Sequence, residues 1–189
     1  CWPLRGGTAE GGLELQGARK GVGPGERGPE IVVSGQRVQG SGRCYGDTAM
    51  EQDRVYFEVH VVDAEANSVC SVGCGKRPTS EELGKPLGAT PQSFGAKFGL
   101  AGLAPLQTGD VLACGYDQDA SPTSVIIWHN GTELHGGPLK GMKGEQRPAL
   151  YLEGCTVNWV FSKAGFKHFS TVPSRFSELV PSAALINDV

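Results

Sequence analysis

The sequence predicts an all-β chain: an antiparallel sandwich of two sheets, closed by a short C-terminal helical tail. Three observations carry this expectation. Short apolar runs recur along the chain, punctuated by 29 Gly and 12 Pro. No stretch before residue 170 holds an apolar period of about 3.6 residues. Several runs instead alternate apolar and polar residues, the pattern of a strand covered on one face.

Taken in order, residues 6–29 are the weakest segment. "GVGPGERGP" (21–29) is expected as a flexible loop between short strands near Leu13–Leu15 and Ile31–Val33. "RVYFEVHVV" (54–62) is a clear strand: Val55, Phe57, Val59 and Val61 share one face, and Tyr56, Glu58 and His60 share a face expected to be wet. "SVCSVGCG" (68–75) is a strand of small residues, whose glycines let a neighbour approach closely. Polar "KRPTSEELGKPLGATP" (76–91) reads as a long loop. Segments 93–98, 110–116, 123–129, 132–135, 147–152 and 156–161 are further strands, spaced as in an antiparallel sandwich.

"TSVIIWHNGTEL" (123–134) is informative in itself. Val125 and Ile127 lie on one face and Ile126 and Trp128 on the other, so this strand is expected to be covered on both sides. Asn130-Gly131 then fits a type I′ hairpin, which needs two residues at positive φ. Asn130-Gly131-Thr132 is also a glycosylation acceptor, but a glycan needs a secretory route, so the turn is the preferred reading. Trp2, Trp128 and Trp159 are expected to be packing residues. In the tail, Phe176, Leu179 and Val180 fall at helical spacing and Ser174 is placed to cap a short helix. The expected organisation is residues 1–53 as N-terminal strands and a Gly-rich loop, 54–169 as the core sandwich and 170–189 as the tail.

Charge and chemistry narrow the function classes. The net charge of -3 offers no electrostatic case for nucleic acid or an anionic membrane. No apolar run reaches the roughly 18 residues of a membrane span, and the stretch after Cys1 lacks the apolar core of a secretory leader. Of the six cysteines, Cys70, Cys74, Cys114 and Cys155 lie in or beside apolar strand-like segments, so reduced thiols in a cytoplasmic protein are expected. Cys70 and Cys74 share a strand face on the order of 13 Å apart, too far to grip one zinc. His129 and His135 flank the hairpin, but two histidines do not make a metal site. A glycosidase needs two facing carboxylates; Glu58 has the opposite strand parity to Asp63 and Glu65. There is no Gly-x-Ser-x-Gly elbow and no phosphate-cradling Gly-Lys-Ser/Thr. No catalytic residue, metal or cofactor is expected.

The order of several blocks resembles the SPRY domain family. "YFEVHVV" is similar to that family's "YFEV" strand, and "SVGCG" to the strand after it. "LQTGDVLACGYDQD" is similar to its Gly-Asp-Val signature, "VIIWHNGTELHG" to its Asn-Gly hairpin, and "RPALYLEGCTVNWVF" to its last strands. These blocks span residues 54–162. The glycines of 35–46, "GMKGEQRPALYL" and "AGFKHF" extend the likeness to a small stand-alone subtype, from which the Gly/Pro-rich 18–29 departs. The resemblance implies a bent, concanavalin A-like jelly roll and a non-catalytic protein-interaction module. Its partner would be a protein, and the chain would act alone as a monomer or as a subunit of a cytoplasmic assembly, the ciliary and cytoskeletal kinds included.

Interaction energy concentrates in rigid, aromatic and Arg side chains on loops. The candidate partner-binding residues are therefore Arg77, Pro78 and Gln92 on one loop, with Tyr116, Asp117 and Asp119 on another. The rival reading is a carbohydrate-binding lectin on the same sandwich, using Trp128, Asn130 and Tyr116 as its platform.

Overall fold

A computed structural model describes residues 22–139, 142 and 144–181. Its strands are β1 (Pro24–Arg27), β2 (Ile31–Ser34), β3 (Arg37–Gly46), β4 (Arg54–Gly75), β5 (Ser93–Gly99), β6 (Val111–Asp117), β7 (Ser124–His129), β8 (Thr132–Pro138), β9 (Arg147–Val160) and β10 (Ser177–Glu178). Three short 3-10 turns, Ser80–Gly84, Lys163–Gly165 and Phe169–Thr171, complete the regular structure. None of the described helices is long and apolar enough to cross a membrane.

The hydrogen-bonded order is β1-β3-β9-β4-β6-β7-β8, with β2 on β3, and β5 and β10 on β4. Two expected strand pairs prove to be single long strands, β4 and β9. They run antiparallel, and the pairing slips between Val61 and Asp63 and again between Ala64 and Val69. An irregularity of this kind bends a strand, so both strands pass from one layer of the sandwich into the other. The first half of β4 pairs with β6 and its second half with β5.

The core lies between the two layers. β4 sends Val55, Phe57 and Val59 inward from its first half, and Cys70, Val72 and Cys74 from its second. Leu112, Cys114 and Tyr116 of β6, Val125 and Ile127 of β7, and Leu150, Leu152, Val157 and Trp159 of β9 meet them. The period of two in the sequence is thus satisfied in both layers. The five described cysteines are free and buried, and burial pushes the Cys74 thiol up to about 12.

Three expectations are corrected. The face of β4 expected to be wet is covered: Tyr56, Glu58 and His60 are buried. Residues 163–176 lie across it as a strap, and Phe166, Phe169, Val172 and Phe176 pack on Tyr56, Trp128 and Ala113. The tail over the described residues is not a helix. Pro173 and Pro181 bracket too few residues to nucleate one. Phe176 packs on the outer face and Leu179 in the central core, while Ser177 and Glu178 pair in parallel with Val55 and Tyr56. Finally, residues 24–27 of the expected loop form β1 on β3. Pro24 is tolerated at a strand's first position, and an added Cβ on Gly25 would lie 2.9 Å from the Asp47 backbone. The strand expected near Leu13–Leu15 falls outside the described residues.

The hairpin forms as expected: Asn130 and Gly131 have φ of 49° and 78°, with His129 opposite Thr132. Its position also serves the strap, because a Cβ on Gly131 would meet His168 Nδ1 at 2.9 Å. Gly35 has φ of 59° with nothing within 4 Å of such a Cβ. Gly131→Ala is expected to lower the unfolding free energy in urea by ~2 kcal/mol, against ~1 kcal/mol for Gly35→Ala. Equal losses would show that the hairpin does not bear on the strap.

Candidate functional site

Each layer has an outer face, and each outer face is covered by a segment outside the regular strands. Each cover is fastened by a fully buried charged side chain. Over the layer of β3, β5 and the first half of β9 lies the loop 76–92. Arg43 of β3 is completely buried beneath it. Its guanidinium donates from Nε to the Lys85 carbonyl, from Nη2 to Pro86 O at 2.6 Å and from Nη1 to the Tyr45 hydroxyl at 3.1 Å. A planar fork can hold successive carbonyls in this way where a lysine could not.

The loop is braced internally as well. Glu82 accepts from the Thr79 amide at 3.0 Å and the Thr90 hydroxyl at 2.9 Å, joining its two limbs. The Thr79 amide is the main reason the Glu82 carboxyl sits below its usual range, with Thr90, the Thr79 hydroxyl and the Arg43 charge adding to it. Leu87 is buried against Gly95, where a Cβ would come within 2.3 Å of Leu87 Cβ. The Lys76 amide donates to Gln92 O at 2.9 Å and closes the neck.

This neck carries two of the candidate residues. Arg77 is exposed, 3.3 Å from the Glu26 carboxylate, and Gln92 is exposed beside it in the closed neck. Pro78 is buried. The second candidate loop divides similarly. Tyr116 belongs to the core and Asp117 is buried. Asp117 accepts the Ala120 amide at 3.1 Å and pairs with Arg54 at 3.3 Å and Arg175 at 3.6 Å. Asp119 is exposed and pairs with Arg54. The structure therefore leaves Arg77 and Gln92 exposed on the two limbs of one neck, and Asp119 exposed on another loop. It puts Pro78, Tyr116 and Asp117 inside.

The opposite outer face carries the strap, fastened by Glu58, which is fully buried. Its carboxylate accepts from the Lys167 amide at 2.7 Å, the His168 amide at 2.9 Å and the Tyr56 hydroxyl at 2.9 Å, and His60 Nε2 lies 2.7 Å away. Burial alone would push this carboxyl up. The bonds from His60, the two amides and Tyr56 outweigh it and hold the group below its usual value. Glu58 and His60 are thus a carboxylate–imidazole pair whose carboxylate is taken up by the strap amides. Sequence pattern marked Glu58 as a polar residue on an alternating strand and as a carboxylate without a facing partner, not as a fastening for the tail. Arg43 sat unremarked among glycines.

The lectin platform does not assemble. Trp128 and Tyr116 are buried. The Asn130 amide is engaged on both sides, accepting from the Val111 amide at 2.8 Å and donating to Asp110 at 2.9 Å. His129 contacts Asp110 at 3.1 Å and packs at a tilt against the Phe98 ring, centroids 5.5 Å apart. Among the described residues no cluster of three or more His, Cys, Asp or Glu is placed to hold a metal.

No protein-family profile matches the chain. It is 23% identical over 138 residues to SPRY domain-containing protein 7 of Gallus gallus, a match covering 67% of this chain and 66% of that protein. Among solved structures, the SPRY domain of human HERC1 is similar with a TM-score of 0.51 at 18% identity, over 69% of this chain and 91% of that one. A second human SPRY domain gives 0.46 at 17% identity, over 69% and 94%. At these identities the likeness to the HERC1 domain is one of fold.

Both clasps are open to test. Arg43→Met leaves three carbonyl and hydroxyl partners without their donor. It is expected to cost ~3 kcal/mol and to raise proteolysis within 76–92, and Arg43→Lys should recover little of that loss. For Glu58 the folded pKa lies below the unfolded one, so its contribution is full above about pH 4.5 and fades as pH falls through the folded value. Glu58→Gln is expected to cost ~2–4 kcal/mol near neutral pH. It should speed hydrogen exchange at the Lys167 and His168 amides and flatten the acid limb of the stability curve. An unchanged acid limb would show that another carboxyl governs it.

Proposed function

We propose that this chain, whose β-sandwich is that of SPRY domains, is a non-catalytic protein-interaction module that docks into a larger cytoplasmic assembly through the loop 76–92. SPRY domains are generally protein-interaction modules. One observation supports placing the contact here: the loop is already ordered by the buried Arg43 and by Glu82. A partner therefore meets Arg77 and Gln92 without the chain losing further loop entropy on binding, a cost that otherwise subtracts from affinity. The exposed turn Ser80–Gly84, with Glu81 and Lys85 2.7 Å apart, extends the same surface. Asp119 belongs to a separate, secondary contact in this reading, and Pro78, Tyr116 and Asp117 act by positioning the loops that carry the contacts.

The test compares proteins retained from lysate by the immobilised chain with those retained by Arg77→Glu and Gln92→Lys, alongside Arg37→Glu as a surface control. Retention of a stoichiometric partner is expected to fall on the order of tenfold or more with the two loop variants and to survive the control. Cross-links should centre on Lys76 and Lys85. Undiminished binding by the loop variants, with cross-links confined to Lys163 and Lys167, would overturn the assignment to this loop.

A further inference from the structure

At the open end of the sandwich, opposite the bend of β4, a cleft of about 490 Å³ lies between the two layers. Met50 and Glu51 before β4, Tyr116 and Gln118 at the end of β6, and Met142 and Gln146 before β9 line it. Gln146 is 1% exposed, and its Oε1 is a buried acceptor with no hydrogen-bond partner. Its amide nitrogen is already committed to Gly144 O at 3.2 Å, which fixes the orientation of the amide. A buried acceptor left unpaired is costly, so such an atom beside a cleft points to a donor from outside.

The other polar groups of the cleft have the same bias. Gln118 spends its amide nitrogen on Met50 O at 2.7 Å and Gln52 O at 2.8 Å, leaving its Oε1 free to accept. Tyr116, which is buried in the core, also borders the cleft. The guanidinium of the neighbouring Arg147 is taken by Asp47 O at 2.7 Å and Glu145 at 2.8 Å. Glu51 is exposed and has no ion pair among the described residues. Among the described residues the lining thus offers two unpaired amide oxygens and one carboxylate without an ion pair, while the Gln118 amide protons and the Arg147 guanidinium are engaged.

We infer that this cleft is a binding site for a guanidinium, the arginine side chain of a partner peptide. The guanidinium is a fork of five donors that can serve Gln146 Oε1, Gln118 Oε1 and Glu51 together, and it never deprotonates to lose the charge that Glu51 attracts. Met50 and Met142 supply adaptable apolar walls for its methylene stem. This deepens the reading of the chain as an interaction module and rests on it, but the residues that would hold the guanidinium are other than those of the loop 76–92.

The chain's two methionines both line this cleft, so 13C-methyl-methionine labelling gives two resonances, each a reporter of the site. Titration with N-acetyl-arginine amide is expected to shift both saturably, with a Kd on the order of 1 mM, the range for a ligand of this size. The neutral isostere N-acetyl-citrulline amide should bind at least tenfold more weakly. Glu51→Gln is exposed and should leave the fold intact while weakening the arginine probe severalfold. Gln146→Leu should abolish the saturable shift. Equal shifts with the citrulline probe, or none with either, would overturn the inference, an ordered water then serving Gln146. The probe needs no partner protein, so its failure leaves loop-mediated docking standing. Loss of docking in the loop variants would likewise leave the cleft to be judged on its own.

Discussion

The antiparallel pairing of β4 with β9 is the constraint on which the rest of this structure depends. These are the longest strands, both belong to both layers, and β3, β5, β6 and β10 add directly to one or the other. The slips between Val61 and Val69 place the fold of the sheet at a fixed point. Residue 54 and residue 75 thereby come to the same end of the molecule, and the loops that follow β3, β4 and β6 gather there. The clustering of surface loops is thus a consequence of where one strand pair is bent.

A sheet bent in this way buries its inner faces and leaves two outer faces to manage. The solution is the same on each side and opposite in charge. Arg43 donates to carbonyls of the loop 76–92, and Glu58 accepts from amides of the strap 163–176. A buried charge is costly unless its hydrogen-bonding capacity is filled, and in both cases backbone groups of the cover fill it. The polar backbone of an irregular segment and the ionised side chain each remove the other's desolvation penalty. Two segments without regular structure are thereby held in place against apolar surfaces, Leu83 and Leu87 on one side and the Phe166–Phe176 aromatics on the other.

The fold was largely legible from local pattern. The alternation that turns Val55, Phe57 and Val59 inward, the strand of small residues at 68–75, the two apolar faces of 124–129 and the Asn130-Gly131 turn each appear as read, because strand parity and turn sterics act over a few residues. The candidate site was legible only in part. Arg77 and Gln92 are exposed at the neck of one loop, yet Pro78, Tyr116 and Asp117 are buried. A polar or aromatic residue next to a loop looks the same in sequence whether the loop folds over it or away from it. Gln146 gave no signal at all, since the cleft it borders is completed by residues distant in the chain, Met50 and Gln118 among them.

By itself, then, the sequence determined the class of the fold, most of its strands and the hairpin. These are properties of periodicity and short-range backbone geometry. Only the tertiary structure decided that 54–75 is one strand shared by two layers, that the wet-looking face of Tyr56, Glu58 and His60 is roofed, and that the tail is a strap and not a helix. Each of those outcomes rests on long-range contact: Glu58 meets the amides of residues 167 and 168, and Arg43 the carbonyls of 85 and 86. The energy of such a contact depends on both partners arriving at one place. Local composition does not encode that meeting, and the bend in β4 and β9 does.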